Sequence, residues 1–333
     1  MKSQVATVFQ IQPGETRSAV LLSALLLLPA AGNAIGVAAA EALFYARVGV
    51  EYLPLLYIVL AGVTALATFG LTGLLGRVSR KRLYLALPPL LALVLALGWV
   101  LVGLDLVWSY PVLWLSTGLI ATLQNVVAWG LAGLVFDTRQ ARRLFPLFGA
   151  GSILGGALGG LLTRPLVQLL GTENLLLVWA LTLLAALGLV GALIRDVDAP
   201  RVAPRKRRSR LVDELLIGLR FARRSELWRW IAWAALLFAL LFFMLTFSFS
   251  KAAAAEFPDE DALAGFLGLF QGLTTGAALL LSLFLARRVY AGIGFTGALL
   301  AMPLIYLVAF AVLAAYATFP ALVVFRFLQM VWV

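Results

Sequence analysis

The sequence predicts an all-α protein, a polytopic membrane helix bundle of nine complete spans and part of a tenth. Three observations carry that reading: a composition unsuited to water, apolar runs that repeat at span length, and basic residues gathered in every second loop. Of the 333 residues 63% are hydrophobic and 12% charged, with a mean hydropathy of +1.03, against about 25% charged in soluble domains. A soluble globule of this length could not cover so much apolar surface. Cysteine and histidine are both absent, which removes disulfides, thiol nucleophiles, imidazole bases and the common zinc sites together. Any group that handles a proton must then be a carboxylate, a lysine or a tyrosine.

The apolar runs cover residues 19–44, 52–76, 83–107, 110–136, 145–170, 174–194, 227–249, 263–286 and 295–317. Each reaches the roughly 20 residues that a helix needs to cross about 30 Å of hydrocarbon. A last run from Phe319 to Val333 is too short to span. The first run exceeds the apolar core of about 7–15 residues in a cleaved signal peptide. It also follows a 17-residue head with Lys2 and Arg17, so it reads as a retained span.

Basic residues sit in the head, then as Arg77, Arg80, Lys81 and Arg82, as Arg139, Arg142 and Arg143, as the segment RDVDAPRVAPRKRRSR, and as Arg287 and Arg288. The alternate loops hold Arg47, Arg164 and Lys251 beside Glu51, Asp105, Glu173, Glu256, Asp259, Glu260 and Asp261. Cytoplasmic loops retain positive charge, so this alternation predicts a cytoplasmic N-terminus. It also accounts for the net charge of +11 without a nucleic-acid partner.

One substantial polar segment divides the chain into 1–194, 195–226 and 227–333. Residues 195–226 begin as a basic, proline-containing linker and continue as SRLVDELLIGLRFARRSELWRW, where Leu211, Leu215, Leu219 and Ala222 recur at helical spacing. Ser209 fits an N-cap, and Trp228 and Trp230 fall at interface depth. The segment predicts an amphipathic helix on the membrane surface, either a simple linker or a docking site for a partner or anionic lipid. A second notable stretch, Asp137 to Gly160, joins a charged cluster to a glycine ladder at Gly151, Gly155 and Gly159, continued by Gly160. The ladder gives one helix face no side chains, so that a neighbouring backbone can approach closely. The charged part marks a hinge, with Asp137 placed to pair with Arg142 or Arg143 at a cytoplasmic gate.

Six spans, a long linker and further spans resemble the major facilitator superfamily, in which two six-helix halves rock about a central cavity. The loop GLLGRVSRKR, Gly73 to Arg82, is similar to that family's signature loop through Gly73, Arg77, Arg80, Lys81 and Arg82, with Gly76 at its acidic position. Gly151, Gly155, Gly159 and Gly160 are similar to the fifth-helix signature of facilitator antiporters, with Gly156 in place of its proline. EALFYARVGVEYLPLLYI, Glu41 to Ile58, and ARRLFPLFGAG, Ala141 to Gly151, look like stretches of the bacterial nucleotide-exchange branch, the ATP/ADP translocase-like proteins. They also look like membrane modules that large bacterial proteins join to HEAT-repeat or cyclic-nucleotide-binding parts. The resemblance implies a major-facilitator-like fold in a bacterial inner membrane, an incomplete C-terminal half that lacks the last helices of a twelve-span core, and a nucleotide as the first solute to test.

Polar residues within spans mark a transport path, because burying them in lipid without partners is costly. Asn33 lies beside Pro29, Gly32 and Gly36; Gln124, Asn125 and Trp129 lie mid-depth in the fourth run, and Gln271, Thr274 and Thr275 in the eighth. The resemblance favours cavity roles for Asn33, Gln124, Asn125 and Trp129, and interhelical hydrogen bonding accounts for any one of them equally. Arg326, near Gln329, suits a phosphate or carboxylate, or else snorkels to the interface. Glu41 and Arg47 form a gate pair or a coupling site, or else an ordinary interfacial ion pair. No serine, lysine or carboxylate stands in a recognisable catalytic motif and there is no phosphate-cradling loop, so neither enzyme, cofactor nor metal site is expected. The expected function is secondary transport of a small anionic solute through a lipid bilayer. The alternative is a non-transporting membrane receptor or anchor for soluble signalling domains.

Overall fold

In hydrocarbon every backbone N–H and C=O must be satisfied within its own segment, which leaves helices as the form available to single apolar runs. A computed structural model describes residues 15–75, 78–195 and 225–332. Gly76, Arg77, Ser209 and the expected amphipathic helix lie outside those residues. The helices are α1 (Thr16–Arg47), α2 (Leu53–Leu75), α3 (Arg80–Gly103), α4 (Ser109–Val135), α5 (Thr138–Leu170), α6 (Leu175–Arg195), α7 (Glu226–Glu256), α8 (Glu260–Leu280), α9 (Ala286–Ala315) and α10 (Phe319–Trp332). No strand occurs among the described residues.

Eight helices among the described residues are long and apolar enough to cross a membrane, which makes the protein an all-α membrane helix bundle. The ninth expected span falls on α9, which bends at Gly294 with φ 70°. Its apolar part, Leu299–Ala315, is shorter than the eight. Several helices overrun their apolar runs. Helix α5 starts at Thr138 instead of residue 145, because Asp137 caps it: its carboxylate accepts from the backbone N–H of Arg139 at 2.9 Å and of Gln140 at 2.8 Å, and the Gln140 side chain accepts from the Asp137 N–H. The capping box nucleates the helix ahead of the hydrocarbon and draws Arg139, Arg142 and Arg143 into its first turns. Gly171, at φ 80°, ends α5 in a conformation that a side chain would oppose.

Helix α5 lies between α1 and α8. A Cβ on Gly155 or Gly159 would collide with the backbone of Leu27 or Ala31 in α1, and Gly151 faces Ser23. One step round the helix, a Cβ on Gly160 would collide with the backbone at Gly272 in α8, whose Gly268 receives Thr163 in turn. On α1, Gly32 and Gly36 leave a groove that the indole of Trp179 from α6 fills. The glycines therefore set the spacing of α1, α5, α6 and α8.

Two buried clusters occupy the two ends of the bundle. The cluster at the Arg47 end draws on both sides of the chain, including Phe44 of α1, Trp114 of α4, Phe249 and Ala253 of α7, and Leu263 of α8. The cluster at the Glu15 end, with Leu22, Tyr84, Leu131, Phe148 and Val190, is built from α1 to α6 alone. Every residue from 226 to 240 in α7 is exposed. In that half of α7 the ring of Phe238 lies beside Tyr306 of α9 at 6.2 Å, and none of its residues belongs to either of the two clusters. The later helices are therefore joined to the first six at the Arg47 end and stand apart at the Glu15 end.

Gly159→Ala should destabilise the folded bundle by about 1–3 kcal/mol, the usual cost of overpacking. Gly149→Ala, where nothing lies within 4 Å of an added Cβ, should leave stability unchanged. Thermal unfolding of the two purified variants in one detergent measures the contrast.

Candidate functional site

At mid-depth the bundle encloses a cavity of about 170 Å³ between α1, α4, α5 and α8. Asn33 lies 14 residues before Arg47, about 21 Å along α1 at 1.5 Å per residue. Asn33, Gln124, Asn125, Ser152, Gln271 and Thr275 supply its polar lining. Pro29 also borders the cavity; having no N–H, it leaves the carbonyl of Leu25 without its helical partner. The Gln124 side chain donates to the Pro29 carbonyl at 3.4 Å and accepts from the Trp179 indole N–H at 3.3 Å. Asn125 donates to the Ala121 carbonyl of its own helix at 2.9 Å. The Asn33 Oδ1 is buried and has no hydrogen-bond partner among the described residues.

Four of the residues expected on a solute path, Asn33, Gln124, Asn125 and Gln271, thus meet around one space. Trp129 is elsewhere: it is 38% exposed, with its ring edge-on to Phe145 at 5.5 Å. Thr274 is buried and turned to its own helix, donating to the Phe270 carbonyl. Arg326 also lies outside the cavity lining. It is 9% exposed, held by Gln329 and stacked over the Phe242 ring at 4.9 Å, and Gln329 donates to the Tyr306 hydroxyl at 2.7 Å. Burial inside the bundle replaces snorkelling, with Phe242 of α7 as the aromatic partner and Gln329 of its own helix α10, itself bonded to Tyr306 of α9, as the amide partner.

Arg47 closes one end of the bundle. It was expected to pair with Glu41; instead its guanidinium binds Glu260 of α8 with both Nε and Nη2 at 2.9 Å. Nη2 also donates to Glu173 at 2.8 Å, and Nη1 to Asp105 at 3.1 Å and to the Tyr110 hydroxyl at 2.7 Å. Glu41 lies six residues earlier, more than one turn down the helix, so the two side chains leave α1 at different depths. Beside this knot, Asp261 accepts from the Thr172 hydroxyl at 2.6 Å and from its N–H at 3.0 Å. The Tyr110 hydroxyl, and then the Arg47 guanidinium, hold the Asp105 carboxyl below its ordinary range. A lowered carboxyl contributes above its ordinary pKa of about 3.9 and ceases to contribute as pH falls through the lowered value. Asp105 remains 77% exposed, so solvent screens most of that gain.

In the sequence Asp105, Glu173 and Glu260 stand as loop acids with nothing local that ties them to Arg47. Their shared end of the bundle was the available signal. At the opposite end Arg143 pairs with Glu15, which also accepts from Gln140 at 3.0 Å. Asp137, expected to pair with Arg142 or Arg143, is committed to its cap. Arg139, Arg142 and Arg80 are exposed. The Glu15 contacts tie α1 to α5, and no described ion pair at that end reaches α7 or α8. Neither a protein-family model nor a curated protein matches the sequence.

Hydrogen bonds to charged groups are worth about 1.5–3 kcal/mol, so Glu260→Gln should favour opening of the Arg47 end about tenfold or more. Asp105→Asn, at an exposed pair, should do so less than about fivefold. The chain has no cysteine, and Leu43 is fully buried just inside the knot. Thiol-reagent labelling of Leu43→Cys in each background therefore reports the ranking.

Proposed function

We propose that the protein is a secondary transporter that carries a small anionic solute across a membrane by alternating access, in the manner of the major facilitator superfamily. The observation that carries this reading is a polar mid-depth cavity in a bundle joined at one end and parted at the other. A solute admitted at the Glu15 end would reach Asn33 and Gln124 and meet the Arg47 knot beyond them. Release on the far side requires that knot to break and the Glu15 end to close. The glycine surfaces of α5 suit such rocking, since they carry no interlocked side chains. By the distribution of basic loops, the Glu15 end faces the cytoplasm and the state described is inward-open. Residues 1–194 form one rocking half, and the helices from 227 onward belong to the other.

Small-molecule sites commonly measure about 300–1,000 Å³. The cavity in this state therefore accepts a phosphate or the phosphate end of a nucleotide, and a whole nucleotide needs wider opening at the Glu15 end. The lining named above carries amides and hydroxyls and no charge. That neutrality favours the second reading, a membrane receptor or anchor that no longer moves solute. Proteoliposomes loaded with ATP and offered labelled ADP, or loaded with phosphate and offered labelled phosphate, separate the two. Exchange that Gln124→Leu reduces at least about tenfold is the expected result. Absence of uptake for every nucleotide and phosphate ester tried would leave the receptor reading.

A further inference from the structure

Trp179 of α6 is fully buried and has no part in the cavity lining. Its indole lies in the α1 groove with the five-membered ring, at Cδ1, against Gly32 and the six-membered ring, at Cε3, against Gly36. Leu91, Leu95, Ile120 and Leu183, from α3, α4 and α6, belong to the same buried cluster. The ring is therefore held on both sides. Cδ1 neighbours the N–H, which places the donor beside Gly32, three residues from Pro29. An indole N–H enclosed by apolar side chains needs an acceptor. Gln124 of α4 supplies it: Oε1 takes the Trp179 N–H at 3.3 Å, while Nε2 donates to the Pro29 carbonyl at 3.4 Å.

These two partners decide which way round the amide stands. Indole is a donor only and a backbone carbonyl an acceptor only, so the reverse orientation would set N–H against N–H and oxygen against oxygen. Among the described residues Gln124 makes no other side-chain hydrogen bond, and it is half-buried where it borders the cavity. One Nε2–H is left over. The hydroxyls of Ser152 and Thr275 in the same cavity can turn to suit what is bound; the Gln124 dipole is fixed. A preset N–H spares the site a reorientation on binding. Toward an ionised oxygen it makes a charge-assisted bond, roughly twice as strong as a neutral one. We propose that Trp179 is a positioning residue for solute selection: by holding Oε1 it directs the free N–H of Gln124 to the cavity, so that the site favours an oxyanion over a solute that offers N–H groups. The inference rests on the anionic-solute reading above, and it gives a cavity with no charge in its named lining a means of preferring an anion.

The test uses the full chain in lipid nanodiscs with labelled inorganic phosphate as the probe. Trp179→Phe keeps a ring in the groove and removes the N–H. Phosphate affinity should fall about tenfold, the lower end of what one hydrogen bond to a charged group is worth. The same substitution made in the Gln124→Leu chain should change affinity less than about twofold, because the group that Trp179 orients is gone. A loss of equal size in both backgrounds would assign Trp179 to packing alone and overturn the inference, as would unchanged affinity in Trp179→Phe; either result leaves anion binding standing. The indole N–H resonances give a check that needs no solute. One of them should move in Gln124→Leu, and it should be the one that Trp179→Phe removes, with the other indole signals in place to show an intact fold. If none moves, the bond that carries the inference is absent. If phosphate fails to bind the unsubstituted chain while that resonance still moves, the anionic-solute reading is what fails, and the selection built on it falls too.

Discussion

Helix α5 touches α1 and α8 backbone to backbone, and the geometry of the site follows from that double contact. Between helices in lipid there is no hydrophobic gain to be had, so close van der Waals packing over small residues has to supply the association. Gly155 and Gly159 on one face and Gly160 on the other leave room for the carbonyls of Leu27 and Ala31 and for the backbone at Gly272. With α1 and α8 so placed, Asn33 and Gln271 face one space, and Arg47 and Glu260 meet at its end. A bulky residue at any of these glycines would push α1 or α8 outward and part both sets of residues at once.

The two ends are built differently for physical reasons. At the Arg47 end a half-buried guanidinium gathers three carboxylates and a phenol from four parts of the chain, with its bidentate bond going to α8. Bidentate geometry and partial burial raise such a pair above an exposed one. At the Glu15 end, Arg143 and Gln140 bind the residue that immediately precedes α1, within the same six-helix group. Among the described residues, the ion pair from the first six helices to α8 is at the Arg47 end, and the buried apolar clusters follow the same division.

The interior polar groups divide in a similar way. Amides and hydroxyls line the cavity, where their dipoles adapt to a solute at modest desolvation cost. Arg326 is set apart from that lining, against Phe242 and Gln329, with Tyr306 on the far side of the amide. Helix α1 carries Arg47, Glu41 and Asn33 in succession, so a tilt of this one helix moves the knot, the Glu41 carboxylate and the cavity wall together. Trp179, seated in the Gly32 and Gly36 groove and bonded to Gln124, extends that coupling to α4 and α6.

The sequence by itself determined the helical class, the positions of the first eight apolar helices to within seven residues at either end, and the candidate amides of the cavity. These are local or periodic properties: run length, polarity against lipid, and glycines at every fourth residue are all written along one dimension. The cap at Asp137 was within reach of the same reasoning, since an acid precedes Gln140 by three residues, yet the nearby arginines suggested ion pairing instead. Tertiary structure alone decided which carboxylates Arg47 binds, because Asp105, Glu173 and Glu260 are 58, 126 and 213 residues away in the chain. It alone decided that α5 shows one glycine face to α1 and another to α8, that Trp129 lies away from the cavity, and that Arg326 is buried against Phe242 and Gln329. Charges choose partners by distance in space, and in a membrane bundle that distance is set by how closely the helix backbones can approach.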